Sequence, residues 1–270
     1  MERRWAEIGS EYESSAERLV GLLWGADRKP TRGPKPSLRV EEIVREAVRV
    51  ADKGGLGALS MARVAEGLGV TTMALYRYVP GKGELVELML DAAVGEALVL
   101  PRGGVAHGTF HYGYREKLSV SARQLFAVCN LHPWILEVPI GGPPLGPGNL
   151  AWLESVLEAL SGTGVDGREA VGVALLLSGY VRGAAQVSVG LSQAERRTGM
   201  PPDQWGPVYA RLLERVVADG RFPRLADVVA SGAFNEPEGE PDGDFEFGLR
   251  RVLDGVEAFV ERRSVQAHGG

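Results

Sequence analysis

Three glycine or proline breaks cut residues 38–82 into short apolar runs at helical spacing, and this punctuation narrows the fold more than any other feature. From Leu38 to Lys53 the residues Val40, Ile43, Val44, Ala47, Val48 and Ala51 fall on one stripe, the pattern of an amphipathic helix. Ser37 offers its N-cap and Gly54-Gly55 its stop. A second start signal, Ser60, opens a run to Leu68 with Val64, Ala65 and Leu68 inward. Gly69 breaks that run, Thr71 can cap a third through about Tyr78, and Pro80-Gly81 closes it. Three short helices with a glycine turn between the second and third make a helix-turn-helix pattern.

Beyond this unit the helical period continues. Lys82 opens a longer helix carrying Leu85, Leu88, Met89, Ala92 and Ala93, and further helices are expected at about 115–130, 149–162, 167–190, 203–219 and 244–263. Their separators are Pro139 to Gly148, Ser161 to Gly164, Gly199 to Pro202 and an acidic loop from Asn235 to Asp244. Gly-rich, aromatic residues 103–114 read as a loop. No run shows sustained strand alternation, so the fold class is all-α. Ahead of the three-helix unit, Trp5, Ile8, Tyr12, Leu19, Leu22, Leu23 and Trp24 lie near helical spacing. The segment Arg28-Lys29-Pro30-Thr31-Arg32-Gly33-Pro34-Lys35-Pro36 follows, an extended basic arm in which the prolines exclude a helix. The chain thus divides into an extension and arm (1–36), a three-helix unit (37–82), a larger helical part (83–263) and a tail (264–270).

Charge divides along the same lines. The net charge is −5, yet residues 28–82 hold eleven Lys or Arg against five Asp or Glu, so a basic module sits on an acidic body. That arrangement suits a protein presenting one end to a polyanion. A single cysteine, Cys129, cannot form an internal disulfide. The acid-rich first 27 residues do not resemble a signal peptide, and no uninterrupted apolar run approaches the roughly 20 residues of a bilayer span. The expected setting is the cytoplasm, without a membrane partner.

Residues 60–82 closely resemble the DNA-binding signature of the TetR family of bacterial regulators, through Val64-Ala65, Leu68-Gly69-Val70, Leu75-Tyr76, Tyr78-Val79 and Lys82. Leu131-His132-Pro133-Trp134 and Phe245-Glu246-Phe247-Gly248-Leu249 resemble phrases of the tetracycline-repressor-type C-terminal domain. The resemblance implies that 37–82 is a DNA-binding domain and 83–263 an effector-binding and dimerisation domain. It implies a transcriptional regulator, commonly a repressor released from a palindromic operator by a small molecule. Val64, Leu68, Val70 and Leu75 read as core of the trihelical unit. Thr71, Thr72, Met73 and Ala74 begin the helix that enters the major groove in this motif; hydroxyls suit base edges or phosphates, and apolar groups suit thymine methyls. The resemblance places Tyr76 and Lys82 at phosphates, where Ser60 can join them. Arg77 and Tyr78 suit a phosphate or a base. Arg32 and Lys35, with Arg39, have two readings, a minor-groove or phosphate arm and a solubilising linker.

The implied effector cavity draws on Phe126, Asn130, Trp134, Trp152, Tyr180, Gln186, Met200 and Trp205, aromatic walls with a few polar groups. Each of these singly is more often ordinary core than ligand contact, and the lean of the set is toward an apolar or aromatic ligand. Val171, Val173, Leu175, Leu176, Tyr180 and Val181 leave the helix near 167–190 little polar face. Leu249, Val252, Leu253, Val256, Phe259 and Val260 give the helix at 244–263 a broad apolar one. The two together are expected to form a homodimer through a four-helix bundle. Arg182 interrupts the apolar helix, and Arg196-Arg197 reads as solvent-facing.

No cofactor or metal is expected, and no enzyme. His107 and His111 have metal-like spacing but glycine-rich surroundings and no completing ligand, and no phosphate loop or nucleophile elbow occurs. Two other classes fit the composition: an architectural DNA-binding protein without a ligand, and a regulator whose effector is another protein.

Overall fold

The computed structural model describes residues 2–25, 38–99, 113–139, 142–200, 202–234 and 243–268. Among them every regular element is helical, so the chain is all-α. The N-terminal amphipathic run forms α1 (Glu2–Leu23). Its end is tied to the body: Leu22 and Leu23 pack against the core, and the Trp24 indole N–H donates to Leu145 O at 2.9 Å.

The three-helix head follows. α2 (Val40–Gly54) buries Ile43, Val44, Ala47 and Ala51 as its stripe required. It starts later than Leu38, and its cap is Arg39 rather than Ser37, which lies outside the described residues. Glu42 supplies the reason, since its carboxylate accepts the Arg39 backbone N–H at 2.8 Å. Leu38, one residue before the cap, is buried in the same core as Ile43, the placement of a hydrophobic staple. A 3-10 turn at Leu56–Ala58 leads to α3 (Met61–Gly67), where Ser60 Oγ accepts the Arg63 N–H at 3.2 Å. Gly69 turns the chain at φ +67°, a left-handed conformation that an L side chain would strain. α4 (Thr72–Tyr76) then begins with Thr71 Oγ1 accepting the Ala74 N–H at 3.3 Å. Leu68 and Arg77 are C-caps, which makes both helices slightly shorter than their apolar patterns.

The body comprises α5 (Lys82–Val99), α6 (Tyr114–Leu131), α7 (Pro147–Leu160), α8 (Gly167–Thr198), α9 (Pro202–Val217), α10 (Pro223–Ala230) and α11 (Gly243–His268), with a 3-10 turn at Pro133–Glu137 after α6. α8 runs past residue 190 to Thr198 and ends with Arg196 and Arg197 in its last turn, where cations complement the helix dipole. Both arginines are exposed, as expected. α10 was not anticipated: its eight residues bury only Val229, too little apolar pattern to register, although Pro223 at its first turn is a start signal. α9 and α10 form a hairpin that meets the rest chiefly through α8.

One continuous core runs from Leu38 in the head to Val260 in α11. α5 is its axle, packing against α2 at one end and against α6 and α7 at the other. Where α5 crosses α7, a β-carbon on Gly148 would fall 2.1 Å from Asp91 O and 2.8 Å from Gly95 N, so only glycine permits this approach. Asp91, buried on α5, accepts the backbone N–H groups of Gly148 (3.1 Å) and Asn149 (2.8 Å) and the Asn149 amide (3.0 Å). Its charge therefore meets the N-terminal dipole and unpaired donors of α7. Gly148→Ala is expected to force α5 and α7 apart and destabilise the protein by about 1–3 kcal/mol, read as a lower urea midpoint. An unchanged midpoint would show that the crossing has slack.

Candidate DNA-binding face, aromatic layer and unpaired helix face

The head presents α4 as an edge. Leu75 is fully buried and anchors the helix, while Met73 is 72% exposed and Tyr76 45% exposed. Arg77 and Thr71 are exposed beside them, and Thr72 and Ala74 are half-buried. The caps divide the labour: the hydroxyls of Ser60 and Thr71 are engaged with their own helix starts, whereas Tyr76 and Arg77 project from the surface. Tyr78 packs against the core, so its ring is partly structural. Lys82 is exposed and donates from Nζ to Leu56 O at 3.2 Å, which holds its ammonium at the edge of the head. Arg32 and Lys35 lie outside the described residues, as do His107 and His111. Among the described residues no group of His, Cys, Asp and Glu is placed to hold a metal ion.

The expected effector residues do not converge on one cavity. Phe126 stacks on Phe245 with centroids 3.9 Å apart and planes within 9°. Tyr180 lies on the other helix against Phe245 (5.8 Å) and donates its hydroxyl to Phe245 O at 2.7 Å. This aromatic layer joins α6, α8 and α11. Phe245 was recognised only as part of a motif, and its stacking role carries no local signal. Asn130 is satisfied within the chain: Nδ2 donates to Phe126 O at 3.0 Å and Oδ1 accepts from Ser188 Oγ at 2.9 Å. Trp152 is core, donating to Ser121 O at 3.0 Å. Gln186 is exposed rather than a wall of an internal cavity, because it faces away from the buried side of α8. Met200 and Trp205 are half-buried near the start of α9, and the Trp205 indole N–H is shielded without an acceptor.

Trp134 stands elsewhere, at the junction of head and body, donating to Asp52 Oδ1 at 2.8 Å. A cleft of about 890 Å³ lies in the same region, between the end of α1, the first two-thirds of α2 and the middle of α5. It is lined by Leu22, Trp24, Val44, Arg45, Leu88 and His132, among others, and by none of the expected effector residues.

α8 has two apolar faces. Ala170, Val173, Ala174, Leu177, Val181 and Ala185 are buried in the body. On the opposite side Leu175 (69%), Leu176 and Val187 are exposed, interleaved with Gly172, Gly179, Gly183 and Gly190, whose added β-carbons would meet nothing within 4 Å. On α11, Val252 and Phe259 of the expected interface are half-buried. Leu249, Leu253, Val256 and Val260 are buried within the subunit, because α6 and α8 cover that face, and Phe247 is left exposed under Arg251. α11 is further held by Arg123, which forks onto Glu246 at 2.6 and 2.9 Å, and by Arg115 on Asp254 and Glu257. Arg182, near the boundary between the two faces of α8, donates to Val138 O at 3.2 Å and Ile135 O at 3.5 Å.

Known proteins are similar to this chain in sequence and fold. Residues 43–89 match the model of the bacterial regulatory proteins of the tetR family, and residues 111–260 match the tetracyclin repressor-like C-terminal domain. The HTH-type transcriptional repressor DrrR1 of Streptomyces coeruleorubidus is 42% identical over 247 residues, covering 91% of this chain and 87% of that protein. An HTH-type transcriptional regulator of Saccharopolyspora erythraea is 28% identical over 91% of this chain and 95% of its own length. Among solved structures, the Streptomyces coelicolor TetR family protein ActR in complex with actinorhodin superposes with a TM-score of 0.62 at 25% identity, over 83% of this chain and 99% of that one.

Cys129 reports on the α6–α8 packing described above. Burial pushes its thiol up to about 11, partly offset by the Arg182 charge. A thiol reagent at neutral pH is expected to label Cys129 only as fast as the helices open. Prompt labelling of the native protein would contradict the packing.

Proposed function

The chain belongs to the tetR family of bacterial regulatory proteins, and from that premise we propose that it is a homodimeric, cytoplasmic repressor that holds a palindromic operator and leaves it when a small molecule binds the helical body. The observation that carries the reading is the exposed edge of α4, fixed by a buried Leu75 and hydroxyl caps while Met73, Tyr76 and Arg77 face outward and Thr72 is half-buried beside them. In this motif such an edge enters the major groove. Thr72, Met73 and Ala74 read bases; Tyr76, Arg77 and Lys82 hold phosphates, with Ser60, Thr71 and Tyr78 beside them and Arg32 and Lys35 on the arm.

Two heads are needed for a palindrome, with recognition helices about 34 Å apart. The glycine-leucine face of α8 supports a two-fold contact, since its small residues allow a second copy of the helix to approach closely. By length and composition α8 is also apolar enough to cross a membrane. One side of it is built into the core of the subunit, so its other side is better read as an interface between copies.

The ActR complex supports a small-molecule effector. Here the aromatic layer of Phe126, Tyr180 and Phe245 is the surface suited to an apolar or aromatic compound. Such a ligand acts only through its difference in affinity between the DNA-competent state and the released state.

The dimer is tested by sedimentation with Leu175→Glu, which places a charge on the exposed α8 face. The variant is expected to keep its helical content, sediment as a monomer and bind a palindromic duplex no better than a half-site. A dimer unaffected by this change would move the interface elsewhere. For DNA contacts, Lys82→Ala is expected to weaken binding to every sequence and to flatten the salt dependence by about 0.9 in log–log slope, one phosphate's worth. Thr72→Ala should instead relax the base preference at one position of each half-site. An unchanged slope or an unchanged preference would remove the assigned role.

A further inference from the structure

The Asp52 carboxylate, near the end of α2, joins parts of the chain about eighty positions apart. Its Oδ1 accepts from His132 Nδ1 at 2.7 Å and from Trp134 Nε1 at 2.8 Å. Both donors are buried, with Trp134 1% and His132 7% exposed. They flank Pro133 at the start of the 3-10 turn that follows α6. That turn is held from behind by Arg182 of α8, whose guanidinium donates to Ile135 O and Val138 O at its far end. Ser188, one and a half turns further along α8, bonds Asn130 near the end of α6. A chain of polar contacts therefore runs from α8 through the turn to α2 of the head.

The surroundings of α2 make this contact a pivot. Its C-terminal end is clasped at Asp52, while Val40, Val44 and Val48 along its earlier turns border the cleft of about 890 Å³ against α5. Space beside one end and a fixed point at the other allow the helix to tilt about Asp52, carrying α3 and α4 with it. Arg182 neighbours Val181, buried in the core, and Gly183 on the open face of α8.

We propose that Asp52 is the positioning residue that sets the angle of the DNA-binding head on the body, by clasping a turn that Arg182 fixes to α8. This rests on the reading that the body controls the head, and it assigns that control to a named route. A displacement of α8, whether from its interface or from the aromatic layer, shifts the turn carbonyls held by Arg182 and so moves the clasp. The head then leaves the angle at which two copies fit successive major grooves.

The test measures head orientation without DNA, so its failure is separate from a failure of operator binding. Spin labels at Glu66→Cys on α3 and Glu158→Cys on α7, in a Cys129→Ala background diluted with unlabelled full-length protein, report the head-to-body distance within one subunit. The otherwise unaltered protein is expected to give one narrow distance peak. Asp52→Ala and Trp134→Phe, each of which removes one partner of the clasp, are expected to lose that peak to a broad distribution. Asp52→Asn retains an acceptor oxygen and is expected to restore it. Arg182→Ala touches no residue of the head, yet should broaden the distribution as Asp52→Ala does, and combining the two should add nothing further. Circular dichroism keeps a folding defect apart from a positional one. A narrow, unshifted peak in both Asp52→Ala and Trp134→Phe would overturn the proposal, as would broadening by Asp52→Asn equal to that by Asp52→Ala.

Discussion

A buried carboxylate with no cation beside it is costly unless backbone and side-chain donors replace its water, and Asp91 has three such donors. All three come from the first turn of α7, so the charge is held only when α5 and α7 are in register. The same crossing is closed at Gly148, where a β-carbon would meet the α5 backbone at 2.1 Å, and is tight at Gly95. The rest of the molecule follows from this constraint. α5 ends the head and begins the body, so fixing it against α7 fixes where the head starts. α6 and α8 then complete the layer on α7, and α11 covers both.

Given that axle, the contacts of α2 with α5 and with the turn after α6 hold the head on the body. The polar clasp at Asp52 holds one end of the helix, while its earlier turns, packed through Ile43 and Val44, also border the cleft. α8 is the helix that both meets a second copy, in our reading, and steadies the turn that carries the clasp. Its two apolar faces are thus two requirements placed on one element: a core face of Val and Leu, and a shallow face where glycines alternate with leucines.

The head was legible in the sequence because its signals are local. Ser60, Gly69 and Thr71 are start and stop signals that act within a few residues, and the structure uses them as such, whereas α4 ends at Tyr76, before Pro80-Gly81. The start of α2 was misplaced because Glu42 and the Leu38–Ile43 pair outweighed the residue that looked like a cap. The long amphipathic helices of the body were equally plain, while α10 buries too little to leave a periodic trace. Side-chain destinations were the illegible part. Trp134 has the composition of a pocket wall but serves the junction through Asp52, a partner far away in sequence. Asn130 reads as a ligand contact by composition, while in the structure it pairs with Phe126 O and Ser188, partners the sequence does not indicate. The final helix showed a broad apolar face whose use, inside the subunit or between subunits, depends on which neighbours cover it.

The claim that most of this account serves is that two such heads, held at a defined angle, read a symmetric DNA sequence. Selection of bound duplexes from a random pool by the purified full-length protein, at one fixed near-physiological salt concentration, tests it most directly. The account predicts an enriched palindrome whose half-sites lie about one helical turn or a multiple of it apart. A pool that stays random, with only salt-sensitive background binding, would contradict it.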